Sequence, residues 1–382
     1  MSRKLVVYGV LLVVVLILFT LQHVLVSRDA VTHFVLGHAD APGSMLQVVY
    51  VTPDRFCPVH CYNIYDVLPK DLPVSIRGQF YQSIQEPVED VLFVAAGRFF
   101  PHVGRQVGKW KHANLAQNIG LFERDDEANN ASNAKFYRHF DYVIRNYFFD
   151  QLESEPMIRL QALGNISCGT LNQGFKFPPL DYAEFHEPRL GVFWFLPLKK
   201  ATLPDIPRGS LLFSSQRRIH CCFLGSRKTD RLEMQQEFVQ AMQTDPTLNC
   251  KIEIFDNWGG KRGPYVYAVA TLAQCMVSLI PAGVSPETIR LMEALTYGSI
   301  PLLVDSPDFQ THSYINKLFQ RPPVIRTDSW RDAVHAVQNL RRYPQQADWM
   351  QQRMFQYYDT LQDCIKNDMK KILDFSFGAE SS

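Results

Sequence analysis

The stretch from Ser278 to Asp305 gathers residue types that could do chemistry. It reads Ser-Leu-Ile-Pro-Ala-Gly-Val-Ser-Pro-Glu-Thr-Ile-Arg-Leu-Met-Glu-Ala-Leu-Thr-Tyr-Gly-Ser-Ile-Pro-Leu-Leu-Val-Asp. An apolar strand runs into Pro281-Ala-Gly283, a turn whose glycine lets a ligand approach the backbone. Ser285 suits an N-cap and Pro286 the first helical position, so a helix is expected over 286–297. Its free N–H groups and positive dipole end would make an anion site at the carboxyl end of the strand. Arg290 and Glu293, three apart, share one helix face. A guanidinium there can neutralise a diphosphate, and the carboxylate can accept hydrogen bonds from ribose hydroxyls. The plainer alternative is a solvated i,i+3 ion pair contributing roughly 0.2–0.5 kcal/mol.

The elements that must position these residues are legible around them. Strands are expected at 220–224, 251–255, 276–280, 300–304 and 324–326, with helices at 231–242, 265–275, 286–297 and 330–340. Strands alternating with helices are the pattern of a parallel, doubly wound sheet. The first half is α/β but less regular. Its strand candidates are 45–52, 91–96, 119–122, 142–147 and 192–196, with helical patterning near 133–140. Pro204-Asp-Ile-Pro-Arg208 reads as a linker between the halves. Asp126 and Glu127 follow the 119–122 strand, where a loop carboxylate could take a proton from an acceptor hydroxyl. The run Glu123-Arg-Asp-Asp-Glu127 can equally be a solvated turn.

These segments resemble the exostosin-type glycosyltransferases, and within them the ribitol-xylosyltransferase branch of α-dystroglycan modification. Four places carry the resemblance. One block matches at Pro281, Gly283, Val284, Arg290, Glu293, Ala294, Tyr297, Gly298, Ser299, Ile300 and Pro301. A Cys-x-Phe-Leu-Gly with a downstream Arg matches at Cys221, Phe223, Leu224, Gly225 and Arg231. Phe195-Leu-Pro-Leu198 echoes a Trp-Pro-Leu-like element, and Asp126-Glu127 with Arg145-Asn146-Tyr147 matches a further pair. The resemblance implies a GT-B-like fold of two Rossmann-like domains with a cleft between them. The donor would then be held by Gly225, Ser226, Arg231, Gly283, Ser285, Arg290 and Glu293, and the first domain would supply the base, Asp126 or Glu127. It also implies a Cys221–Cys250 disulfide, with Cys222 left as a core residue. The expected co-substrate is a UDP-sugar, xylose first, transferred to a glycan or glycoprotein acceptor. No Asp-x-Asp occurs in the chain, and Leu295 stands where a retaining enzyme's second Glu would fall after Glu287. An inverting transfer with no required cofactor is therefore expected, with Mn²⁺ a minor alternative.

Compartment is read from the N-terminus. Arg3 and Lys4 precede a charge-free apolar run, and residues 5–26 would span about 33 Å as a helix, enough for a bilayer core of roughly 30 Å. Only Arg28 follows closely, and no small-residue cleavage site does. A signal-anchor with a cytosolic tail and a lumenal body is expected, in a Golgi or ER membrane. The expected divisions are tail 1–4, membrane span 5–26, stem 27–44, acceptor-side domain 45–205, nucleotide-sugar domain 206–345 and helical segment 346–382. Asn130-Ala-Ser and Asn165-Ile-Ser are glycosylation sequons. Cys57-Pro-Val-His-Cys61 has zinc-like spacing, but in an oxidising lumen a disulfide is the commoner use. A formal net charge of +1 gives no electrostatic case for a nucleic-acid partner. The alternative to an enzyme is a transferase-like nucleotide-sugar-binding protein or chaperone without turnover.

Overall fold

The computed structural model describes residues 46–52, 74–80, 82, 84–96, 99–115, 117–124, 135–146, 158–162, 190–195, 203–256, 264–283, 288–305 and 324–378. The expected membrane span lies outside them; among the described residues no helix is long and apolar enough to cross a membrane.

Two parallel sheets organise the chain. The first contains β1 (Leu46–Thr52), β2 (Val74–Phe80), β3 (Val91–Ala96), β4 (Ile119–Arg124), β5 (Tyr142–Asn146), β6 (Ile158–Ala162) and β7 (Leu190–Phe195), in the order β2-β1-β3-β4-β5-β7-β6. Along β1, β3, β4 and β5 side chains alternate, and both faces are apolar, as a covered parallel sheet requires. Val49, Val51, Phe93, Leu121 and Val143 pack on one side, under α1 (Phe100–His112). Phe100, Val103, Val107 and Trp110 form the buried stripe of that helix. Val48, Tyr50, Leu92, Val94, Phe122 and Ile144 form the other side.

The second sheet contains β8 (Ile219–Ser226), β9 (Cys250–Phe255), β10 (Cys275–Leu279), β11 (Ile300–Val304) and β12 (Ile325–Thr327), in the order β12-β11-β10-β8-β9. Its helices are α2 (Thr229–Thr244), α3 (Pro264–Ala268), α4 (Arg290–Thr296), α5 (Trp330–Arg342) and α6 (Pro344–Gly378). From β8 the chain first goes outward to β9, then returns to the opposite side at β10. That reversal opens a crevice beyond the carboxyl ends of β8 and β10, where ligands bind in open α/β sheets. α4 ends in a left-handed glycine: Gly298 has φ +65° and donates to Leu295, and Ser299 donates to Ala294. The Ser329 side chain caps α5 by accepting from the Asp332 N–H. In α6, Ala347, Gln351, Met354, Tyr358, Leu361, Ile365 and Ile372 are buried at spacings of three and four or their sum. One apolar cluster joins residues of this helix to both sheets, including Val94 and Ile144 of the first and Leu291 and Leu302 of the second-sheet region.

Three expectations need correction. The helix expected over 286–297 begins at Arg290, preceded by Ile289, with no side-chain cap. The helix expected over 265–275 is split into α3 and a 3-10 turn at Leu272–Gln274. The buried Arg217 guanidinium claims the carbonyls of Leu272 (3.3 Å) and Cys275 (2.9 Å), which draws this backbone away from a continuous helix. Cys222 is not a plain core residue. It is joined to Cys275, while its neighbour Cys221 is joined to Cys250 as expected, so both neighbours of β8 are tied to it covalently. The sequence also missed β2, β6 and α1. In α1, Gly104 and Gly108 interrupt the helix signal because they seat the Phe136 and His139 rings.

Candidate functional site

The crevice between β8 and β10 is built from short backbone segments and two arginines. β8 ends in Leu224-Gly225-Ser226, and α2 begins three residues later, bringing Arg231 back over the strand end. Arg231 donates from Nη1 to the Ser226 carbonyl (2.8 Å) and hydroxyl (2.9 Å), and from Nε to the Ala282 carbonyl (3.1 Å). It thus bridges the two sides of the crevice. Asp230 braces the same turn, accepting from the Ala282 N–H at 2.9 Å and from the Trp330 indole at 2.7 Å. Arg290, the first residue of α4, donates from Nη2 to the Leu224 carbonyl at 2.5 Å.

Both cations lie against Phe223. The Arg290 guanidinium lies 4.3 Å and that of Arg231 5.4 Å from its ring centre, within cation–π range. Gly225 is required here by close approach, since a Cβ would lie 2.7 Å from the Phe223 ring and 3.2 Å from Arg290 Nη2. Arg231 is only 7% exposed. Burial, and next the neighbouring Arg290 charge, lower its pKa to about 10, against the opposing pull of Asp230. Two neighbouring guanidiniums are the kind of group that can bind a multiply charged anion.

Glu293 adds the second recognition element. α4 is buried from Leu291 to Leu295, so the Glu293 carboxylate is carried inward and the residue is 2% exposed. Oε2 accepts from the Tyr267 hydroxyl of α3 at 2.8 Å, and Oε1 has no partner. Arg290 Nε and Thr288 Oγ1 nearby in the chain are likewise unpartnered. A buried carboxylate oxygen without a donor costs about 1–3 kcal/mol, and native proteins leave few of them. Among the described residues, no group of three or more His, Cys, Asp or Glu side chains is placed to hold a metal.

Of the residues expected from sequence, the structure brings together Gly225, Ser226, Arg231 and Arg290, with Glu293 one turn along α4 and Gly283 directly after the bridged Ala282. Ser285, Asp126, Glu127, Asn130, Asn165, Cys57 and Cys61 lie outside the described residues. Sequence reasoning did not single out Asp230 and Tyr267. Asp230 had a signal, being an acidic first-turn residue beside Arg231; Tyr267 had none, because α3 is a single short turn. Arg145, noted for its motif, is instead buried in the first sheet with Glu123 and Tyr137.

Comparison with known proteins places this site in context. Among solved structures, T4 phage BGT in complex with UDP-glucose aligns with 87% of this chain and 99% of its own, at 10% identity and a TM-score of 0.44. An O-GlcNAc transferase of Thermobaculum terrenum aligns with 89% of this chain and 69% of its own, at 11% identity and a TM-score of 0.45. A UDP-forming trehalose-phosphate synthase of Burkholderia xenovorans aligns with 86% of this chain and 99% of its own, at 11% identity and a TM-score of 0.46. Likenesses at these scores carry no assignment. Curated protein sequences give no match. The family described as the RXYLT1 C-terminal domain matches residues 201–377, which include both arginines, Glu293 and all five strands of the second sheet. The C-terminal half is thus similar to the RXYLT1 C-terminal domain family over residues 201–377.

Proposed function

We propose that the chain transfers a sugar, xylose first, from a UDP-sugar to a glycan or glycoprotein acceptor. The two sheets would form a GT-B-like pair, with the donor on the second and the acceptor on the first. The observation that carries the reading is the unpartnered Glu293 Oε1 beside the two-arginine crevice. In this reading Arg231 and Arg290 hold the diphosphate and stabilise the negative charge that builds on it as the sugar leaves. Glu293 accepts a hydrogen bond from a ribose hydroxyl. Asp126 or Glu127 takes the acceptor proton, giving inversion without a required metal. The body is assigned to the lumenal side of a Golgi or ER membrane, anchored through residues 5–26. The two disulfides around β8, and a further one at Cys364, support an oxidising compartment.

The test is a donor panel with the purified full chain: UDP-xylose, UDP-glucose, UDP-galactose, UDP-glucuronic acid and GDP-fucose. Turnover of a UDP-sugar, highest with UDP-xylose, is the expected result. Preference for the GDP-sugar would overturn the donor assignment, and tight binding of every UDP-sugar without turnover would favour a binding protein. Asp126→Asn and Glu127→Gln test the base: one should lower transfer by about 10²-fold or more while keeping donor binding. If neither does, the base lies elsewhere.

A further inference from the structure

We infer that Tyr267 is a positioning residue that makes the site selective for ribonucleotides, by holding the Glu293 carboxylate away from Arg290. The inference rests on the reading of Glu293 as the acceptor for a ribose hydroxyl.

Arg290 and Glu293 are one helical turn apart, the spacing at which a guanidinium and a carboxylate ordinarily pair. In this structure no ion pair or hydrogen bond joins them. Each has other contacts, and the Tyr267 hydroxyl interacts with both. Arg290 Nη2 is fixed on the Leu224 carbonyl at 2.5 Å, and its planar group lies over Phe223. Glu293 Oε2 is fixed by the Tyr267 hydroxyl at 2.8 Å. Oε1 and Arg290 Nε, which a direct pair would satisfy, are both left buried and unpartnered. The separation therefore leaves two buried groups without protein partners, which a ligand presenting both hydroxyls and anionic oxygens would satisfy. Burial, and next the Glu293 charge, push the Tyr267 pKa well above the usual tyrosine range. The phenol stays protonated and remains a donor.

Without that hydroxyl, Oε2 loses its donor and the carboxylate is free to turn onto Arg290. The turn would remove the ribose acceptor and neutralise a diphosphate ligand at once. A tyrosine serving only to fill space would have neither consequence. The expected signature is therefore a loss of discrimination between ribose and deoxyribose, together with a loss of affinity.

The experiment is calorimetric titration of the full chain with UDP, 2′-deoxy-UDP and 3′-deoxy-UDP. The parent should bind UDP about tenfold or more tightly than at least one deoxy analogue, the size expected for a hydrogen bond to a charged group. In Tyr267→Phe that ratio should fall to within about twofold and UDP should bind about tenfold more weakly, with the thermal midpoint recorded alongside. Replacing Tyr267 by 4-aminophenylalanine, which keeps a donor at the same place, should retain the ratio. If the parent discriminates and Tyr267→Phe discriminates equally, Tyr267 does not position Glu293, and the reading of Glu293 survives. A folded 4-aminophenylalanine variant without discrimination would also overturn the proposal, whatever the folding of the phenylalanine variant. A parent that binds all three ligands alike would sink the reading of Glu293 and the proposal with it.

Discussion

In or beside each sheet a buried glutamate meets a tyrosine and an arginine, and the two sets are wired differently. In the first sheet, Glu123 and Arg145 are register partners on β4 and β5, 1% and 2% exposed. The Tyr137 hydroxyl donates to Glu123 Oε2, and Arg145 Nη1 lies 2.5 Å from that hydroxyl and 3.5 Å from the carboxylate. Charge meets charge within the set. Beside the second sheet, Tyr267 again donates to a glutamate, but Arg290 is turned to a backbone carbonyl and leaves Glu293 half satisfied. The same three residue types thus make a closed set in one place and leave a carboxylate oxygen unpaired in the other. What differs is whether the arginine reaches the carboxylate.

The largest expected effects separate stability from binding. Arg145→Met leaves the Glu123 carboxylate buried without its cation and should destabilise the fold by roughly 3–5 kcal/mol. UDP affinity measured below the melting transition should change by no more than about twofold, since Arg145 is not among the residues of the crevice. Arg290→Ala should do the reverse, lowering UDP affinity and transfer by about 10²-fold, typical of truncating a charged group that pairs with an anion. Its unfolding midpoint should stay close to the parent's. If Arg145→Met weakens UDP as much as Arg290→Ala does, the contrast between the two sets is wrong.

A disulfide effect should come next. Cys221 and Cys250, separated by 29 positions, lie opposite each other on β8 and β9. Replacing both by Ser should lower stability by about 2–4 kcal/mol, read from denaturant unfolding. An unchanged unfolding midpoint would mean that this bond does not form in the mature protein.

The smallest expected effect is in pH dependence. His220 Nδ1 accepts the Asn249 N–H at 2.9 Å, and burial, then the Arg341 charge, hold its pKa below the ordinary imidazole value, with Asp245 opposing. The unfolded chain therefore takes up the proton at higher pH than the folded one. The stabilisation is complete above the ordinary value and is lost as pH falls through it toward the folded pKa. His139 is shifted in the same direction, by burial and by Arg138. The thermal midpoint should decline as pH falls below about 6.5, and His220→Gln should flatten part of that decline. A midpoint that rises in this window would contradict the assigned direction.

How much was legible in the sequence divides along the same line. The second sheet was readable because its strands are short apolar runs alternating with helical stretches. Arg290, Glu293 and Arg231 could be named because a polyanion site needs such groups near strand ends. Their contacts could not. Arg290 turns to the Leu224 carbonyl over Phe223 of β8, and Glu293 takes the hydroxyl of Tyr267 from α3, contacts between different elements. In the first half, α1 was hidden by its two glycines, whose missing side chains make room for Phe136 and His139. Glu123 looked like one more charge in a solvated acidic run, and only the β4–β5 register showed it beside Arg145.

The most direct test of the receptor reading is an experimental structure of the full chain bound to UDP. The expected result is a diphosphate lying between Arg231 and Arg290 at the carboxyl ends of β8 and β10, with a ribose hydroxyl about 3 Å or less from Glu293 Oε1. A nucleotide bound elsewhere, or one bound in the crevice with Glu293 Oε1 still unpaired, would contradict it.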